Sequence, residues 1–181
     1  MKKLAILVVL AMELAVCGCG NVPPTNVTNT STTGNWEAML TGGTNQASLI
    51  NFTVAFTVTN SGPLDITGFS FFNSGACFAN GLNGSTETGT ATFTTSSADQ
   101  VTGTLNLTVN SVTPAGNSLA LTGNLTGTSN GTTTTTGTLT NGVVVGTWTL
   151  TGGQGDPSCA GSGTFIMCQS PSNGVCPNPT T

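Results

Sequence analysis

From Gly34 onward the chain alternates apolar and polar residues with a period of two, and that pattern leaves few folds open. Ile50, Phe52, Val54, Phe56 and Val58 fall on one face of an extended chain. So do Val101, Leu105, Leu107 and Val109, then Leu119, Leu121 and Leu125, then Val144, Trp148 and Leu150. Strict alternation means strands with one face on a core and the other on water. No window carries an apolar stripe of helical period. The intervening positions are mostly threonine, of which the chain has 37, and threonine suits a pleated surface. Turn signals separate the runs: Asn60-Ser61-Gly62-Pro63, Asn80-Gly81, Asn83-Gly84, Pro114-Ala115-Gly116-Asn117, Asn130-Gly131 and Asn141-Gly142. Asn-Gly supplies the positive φ angles of tight hairpins. Short connections imply antiparallel neighbours in an up-and-down meander.

The pattern predicts strands near 35–41, 49–59, 64–72, 86–95, 99–110, 118–127, 132–140, 143–151 and 161–168. They form one all-β domain over 34–168. A domain of about 150 residues buries roughly 68–70% of its chain surface, enough for a core. Gly103, Gly123 and Gly146 sit in phase with the inward residues, and Gly89, Gly137 and Gly163 look equivalent. Glycine weakens a strand interior, so its repetition points to a geometric need. Inward glycines let a sheet curl tightly, which favours a closed or nearly closed β-barrel of about eight or nine strands over the alternative, a β-sandwich.

The N-terminus reads as an export signal. Lys2 and Lys3 precede an apolar stretch, Leu4 to Met12, too short for a spanning helix of about 20 residues and suited to a secretory signal. Leu14-Ala15-Val16-Cys17-Gly18-Cys19-Gly20 follows. It resembles the lipobox of bacterial lipoproteins, whose cysteine becomes diacylated. Cys19, preceded by the small Gly18, is the preferred attachment residue, and Cys17 the alternative. The resemblance implies a signal peptide over 1–19, a lipid-anchored envelope protein, and outer membrane rather than inner, because Gly20 offers no acidic retention signal. Cleavage near Gly20 to give a secreted protein is the alternative. Residues 20–33 are rich in Asn, Thr, Pro and Ser and read as a flexible tether, spanning roughly 20 Å as a coil.

Charge excludes whole classes of function. The chain has no histidine, tyrosine or arginine, and its only lysines lie in the signal. A mature chain without cations cannot neutralise phosphates, so nucleic acid is excluded as a partner. Histidine triads, Schiff-base chemistry and histidine-bearing zinc sites are excluded too. No cofactor or metal is expected. Glu37, Asp65, Glu87, Asp99 and Asp156 remain. No spacing brings two of them together as a glycosidase pair, which leaves that chemistry a remote alternative. Asp156 reads as a turn acid rather than a calcium ligand. Serine and threonine hydroxyls have no visible base, so no catalytic residue is expected and the chain reads as non-enzymatic.

Four cysteines remain for bridging: Cys77, Cys159, Cys168 and Cys176. A single strand over 161–167 would hold Cys159 and Cys168 up to roughly 30 Å apart, beyond the Cα separation of about 7 Å that a disulfide allows. Cys77–Cys159 with Cys168–Cys176 is preferred, the second bridge pinning a tail over 169–181. Cys77–Cys168 with Cys159–Cys176 is the alternative.

Phe71 and Phe72 are adjacent, so one faces away from the core unless a β-bulge after Gly68 turns both inward. With Phe78 and Leu82 they form a candidate apolar lip, at a ligand mouth or a contact patch. Thr132 to Thr136 and the pairs Thr102/Thr104 and Thr147/Thr149 read as ordinary outward strand positions rather than an ice-binding array.

Gly34-Asn35-Trp36 opens the first strand and resembles the lipocalin-type barrels, which implies that Trp36 plugs one barrel end. Lipocalins lay an arginine over that tryptophan, and this chain has none. A wider resemblance is to uncharacterised Thr/Gly-rich envelope lipoproteins of environmental bacteria. It rests on Ala76-Cys77-Phe78-Ala79, on Gly146-Thr147-Trp148-Thr149-Leu150-Thr151-Gly152-Gly153, and on Cys159-Ala160-Gly161-Ser162-Gly163-Thr164-Phe165-Ile166-Met167. It implies placement and no activity. The expected function is structural or surface interaction, with the bilayer and a glycan or envelope protein as partners. The alternative is a lipocalin-like module for a small apolar ligand.

Overall fold

The computed structural model describes residues 30–32, 34–42, 50–59, 61–74, 77–78, 85–95, 99–112, 116–130, 137–152, 159–169 and 176. Alternation becomes strands throughout: β1 (Thr30–Thr32), β2 (Asn35–Thr41), β3 (Asn51–Thr59), β4 (Ser61–Pro63), β5 (Asp65–Asn73), β6 (Ser85–Thr95), β7 (Gln100–Ser111), β8 (Ser118–Ser129), β9 (Gly137–Thr151) and β10 (Gly161–Gln169). The described residues contain no α-helix.

The strands form a nearly closed barrel. Around it the order is β5–β3–β2–β10–β9–β8–β7–β6–β4, each pair antiparallel. The two arms of the meander meet where β2 pairs with β10, from Trp36 opposite Gln169 to Thr41 opposite Thr164. On the other side β4, Leu64 and β5 make one extended run. Its first part pairs with β6, and the Leu64 N–H donates to Gly89 O at 2.9 Å. Its second part pairs with β3 instead. No strand pairing joins the rest of β5 to β6, so a seam opens there.

The inward face fills the barrel. Trp36, Phe52, Phe56, Leu105, Leu107, Leu119, Leu121, Leu125, Leu139, Trp148 and Phe165 are all buried. Trp36 stacks on Phe56 with centroids 5.4 Å apart, and the Trp148 indole N–H donates to Thr41 O at 3.0 Å. Two close approaches show why this sheet closes rather than splitting into a sandwich. A Cβ on Gly103 would lie 1.8 Å from Thr92 O, and one on Gly146 would lie 2.1 Å from Thr122 O. At these inward positions the neighbouring backbone curls over the strand, and only glycine leaves it room.

The outward face is hydroxyl-rich. One row runs Thr90–Asn106–Thr122–Thr147–Thr164–Thr41 across six strands. Cross-strand threonine hydroxyls bond at 2.8 Å (Thr92–Thr104) and 2.9 Å (Thr41–Thr164 and Thr128–Thr140). On β10 the outward Ile166 and Cys168 are instead buried with Cys176, packed by Met39 and Val143.

The cysteines pair as Cys77–Cys159 and Cys168–Cys176, with Cα separations of 5.3 and 5.6 Å. Three details differ from the sequence reading. Thr30–Thr32, expected in the tether, form β1, pairing with β3 and, in parallel, with β9. They fill the space beyond the ends of β2 and β10, where two backbone edges offer partners. Asn141-Gly142 makes no hairpin. Asn141 keeps the positive φ (+53°) that the dipeptide favours, yet it serves a bend inside the continuous β9, across which the inward phase shifts from Leu139 to Gly142 and Val144. The expected turn at Ser61-Gly62-Pro63 is β4, a corner that hands the chain from β3 to β6, with Ser61 Oγ accepting from the Phe93 N–H at 2.9 Å.

Candidate functional site

Strand phase and register decide where each candidate stands. The expected lip divides. Register shifts in the β3–β5 ladder fall at Thr67 and at Phe72, each an extra residue without its own partner. The first turns Phe69 and Phe71 inward. The second throws Phe72 outward, 64% exposed. Phe71 stacks on the buried Phe78 with centroids 4.9 Å apart, and meets Phe69 edge-on at 4.8 Å. Phe52 completes the cluster, 4.9 Å from Phe69. Phe71 and Phe78 therefore belong to the barrel wall, and Phe72 projects from it. Leu82 lies outside the described residues, as do Cys17, Cys19, Asp156 and Thr132 to Thr136.

The half-buried Leu64, Ile66, Phe69 and Phe71, from the run whose β5 part borders the seam, pack against the core, as does Phe93 of β6. Glu87 shares the inward phase of β6 with Ala91 and stands nearby. The other described acids face elsewhere. Glu37 is in the outward phase of β2, Asp65 is exposed at the start of β5, and Asp99 is exposed at the turn before β7. The described residues thus put one carboxylate in the inward phase and the others outside it. They contain no cluster of three or more His, Cys, Asp or Glu side chains able to hold a metal ion.

The barrel has two unlike ends. At the β1 end, Trp36 lies fully buried, and its indole Nε1 has no hydrogen-bond partner in the structure. Gln169, the last residue of β10, closes this end. Its Oε1 accepts from the Gly142 N–H at 3.2 Å, and its Nε2 donates to Leu139 O at 2.9 Å and to Thr32 Oγ1 at 3.4 Å. Gln169 was not among the residues the sequence singled out. The signal was there: a polar residue at an inward position, in phase with Phe165 and Met167. At the far end, Cys77 is buried and bonded to Cys159 ahead of β10, and the Asn117 side-chain amide donates to Cys77 O. The exposed Phe72 and Val112 stand on this far rim.

Outside the wall, Asn35, Thr53, Ala55, Gly68, Phe69 and Ser70 border a shallow depression of about 270 Å³. Its floor is small because Ala55 opposes Gly68. Comparison with family models, with curated proteins and with solved structures found no match.

Proposed function

We propose that this chain is a non-enzymatic, lipid-anchored module of a bacterial cell envelope with a structural or surface-interaction role. The observation that carries the reading is the division between inside and outside. The barrel interior is occupied by its own tryptophan, phenylalanine and leucine side chains, and the β6–β8 stretch of the wall turns mostly uncharged hydroxyls and amides to water. The lipobox-like Cys19 supplies the anchor, at the outer membrane in preference to the inner; secretion is the alternative placement. The chain from the anchor joins the barrel at β1, which directs the far rim, with Phe72 and Val112, toward a glycan or envelope-protein partner. The lipid-facing surface of a spanning barrel needs an apolar band, whereas the described outward positions of β6, β7 and β8 are threonine, asparagine, glutamine, serine and alanine.

The second reading, a lipocalin-like module for a small apolar ligand, draws on one observation, the unpaired β5–β6 seam with its half-buried aromatic residues. A native mass spectrum of protein taken from its own envelope fraction tests both. Acyl mass on Cys19, abolished by Cys19→Ser, is the expected result. An unmodified chain beginning beyond Cys19 overturns the anchor, and a co-purifying apolar molecule moves the second reading to first place.

A further inference from the structure

Two constraints meet at Asn141-Gly142. Asn141 sits at φ +53°, a left-handed conformation that asparagine tolerates better than most residues. Gly142 is buried and has no room for a side chain: a Cβ would lie 2.4 Å from Trp36 Cη2 and 3.1 Å from Leu139 Cδ2. The fold therefore demands Asn-Gly in the middle of a strand, and that dipeptide is chemically labile in water. The unhindered glycine nitrogen attacks the asparagine Cγ, the Cγ–Nδ2 bond breaks, and ammonia leaves carrying the displaced amide proton. The resulting succinimide is opened by water at either carbonyl. One product is aspartate. The other is isoaspartate, which adds a methylene to the main chain.

We propose that Asn141 is a latent self-modification site, and that Gln169 is the positioning residue that keeps it silent. The attacking atom is the Gly142 nitrogen, and its N–H is committed to Gln169 Oε1 at 3.2 Å. That bond must break before the nitrogen loses its proton and turns toward Cγ. Gln169 is itself held by Leu139 O on β9 and by the buried Thr32 on β1. Silence at Asn141 thus depends on the closed β1 end, and modification there records its opening.

The test follows deamidation of the full mature chain at mildly alkaline pH, by peptide mapping, below the unfolding transition. Asn80 and Asn83, each followed by glycine, serve as references in the same digest. In the native protein Asn141 converts slowly but measurably, well below the rate of the references, while urea-unfolded protein converts it at the reference rate. Gln169→Met, similar in shape but without the amide, raises Asn141 conversion about fivefold, the rate equivalent of one net hydrogen bond, and leaves the references unchanged. Gln169→Glu, which keeps an acceptor oxygen, converts more slowly than Gln169→Met. Conversion of folded native Asn141 at the unfolded rate overturns the proposal. So does Gln169→Met matching native, or Gln169→Glu matching Gln169→Met.

Discussion

Adding one methyl group at Gly103 tests the account of why this sheet closes. On backbone propensity alone, Gly103→Ala stabilises a strand by about 0.5–1 kcal/mol, because glycine loses more freedom on folding. The structure reverses the sign. The new Cβ would stand 1.8 Å from Thr92 O, 2.9 Å from Thr92 C and 3.2 Å from Phe93 Cα, all backbone atoms. No rotamer relieves such a contact, and β6 must retreat by more than about 1 Å in a close-packed wall. Overpacking of this kind costs about 1–3 kcal/mol. Offset against the propensity gain, the middle of these ranges leaves a net loss of about 1 kcal/mol, a fall in Tm of about 2–4 °C for a domain of this size. Gly68→Ala is the control. Its Cβ would meet only Ala55 Cβ, at an ordinary 3.6 Å, so it should match or exceed native stability. Thermal and urea unfolding with both disulfides oxidised reads the pair. Equal stability of the two variants would refute the close-approach argument.

Other outcomes follow from the same geometry. Replacing Cys77 and Cys159 together by serine should cost about 4.5 kcal/mol by the chain-entropy estimate for a separation of 82, against about 2.6 kcal/mol for the Cys168–Cys176 pair with its separation of 8; urea midpoints in the reverse order would contradict that estimate. Phe71→Ala should destabilise by about 3–5 kcal/mol as a stacked wall residue, whereas Phe72→Ser should stay within about 0.5 kcal/mol, and similar chevron or midpoint shifts for both would refute the inward–outward split. Trp148→Phe should cost about 1–3 kcal/mol, since Thr41 O loses its indole donor, a loss visible by calorimetry.

Much of the fold was legible in the sequence, because a period of two has one physical meaning on a half-buried strand. The inward residues from Ile50 to Leu150 could be named, and so could five of the close-approach glycines, since glycine in phase with leucine and valine needs a reason. Strand length excluded only Cys159–Cys168; of the two connectivities left, the preferred Cys77–Cys159 with Cys168–Cys176 is the one present. The site was less legible. Phe71 and Phe72 part company because the β3–β5 ladder carries two extra residues, and register is a property of two strands together. Gln169 makes its bonds to Gly142, Leu139 and Thr32, 27, 30 and 137 positions away, a convergence no local window contains.

The sequence by itself determined the class of fold and confined the chain's two cationic side chains to Lys2 and Lys3. These depend on residue type and spacing along one strand. Tertiary structure decided which turn signals became turns. Asn60-Ser61-Gly62-Pro63 and Asn141-Gly142 carry the same local preferences as hairpin turns, yet β4 runs through part of the first and β9 through the second. A positive φ is a local demand, but the use made of it is set by whether a neighbouring edge is there to accept the chain. Here β6 takes up β4 and β8 takes up β9, so two intended breaks became parts of the wall.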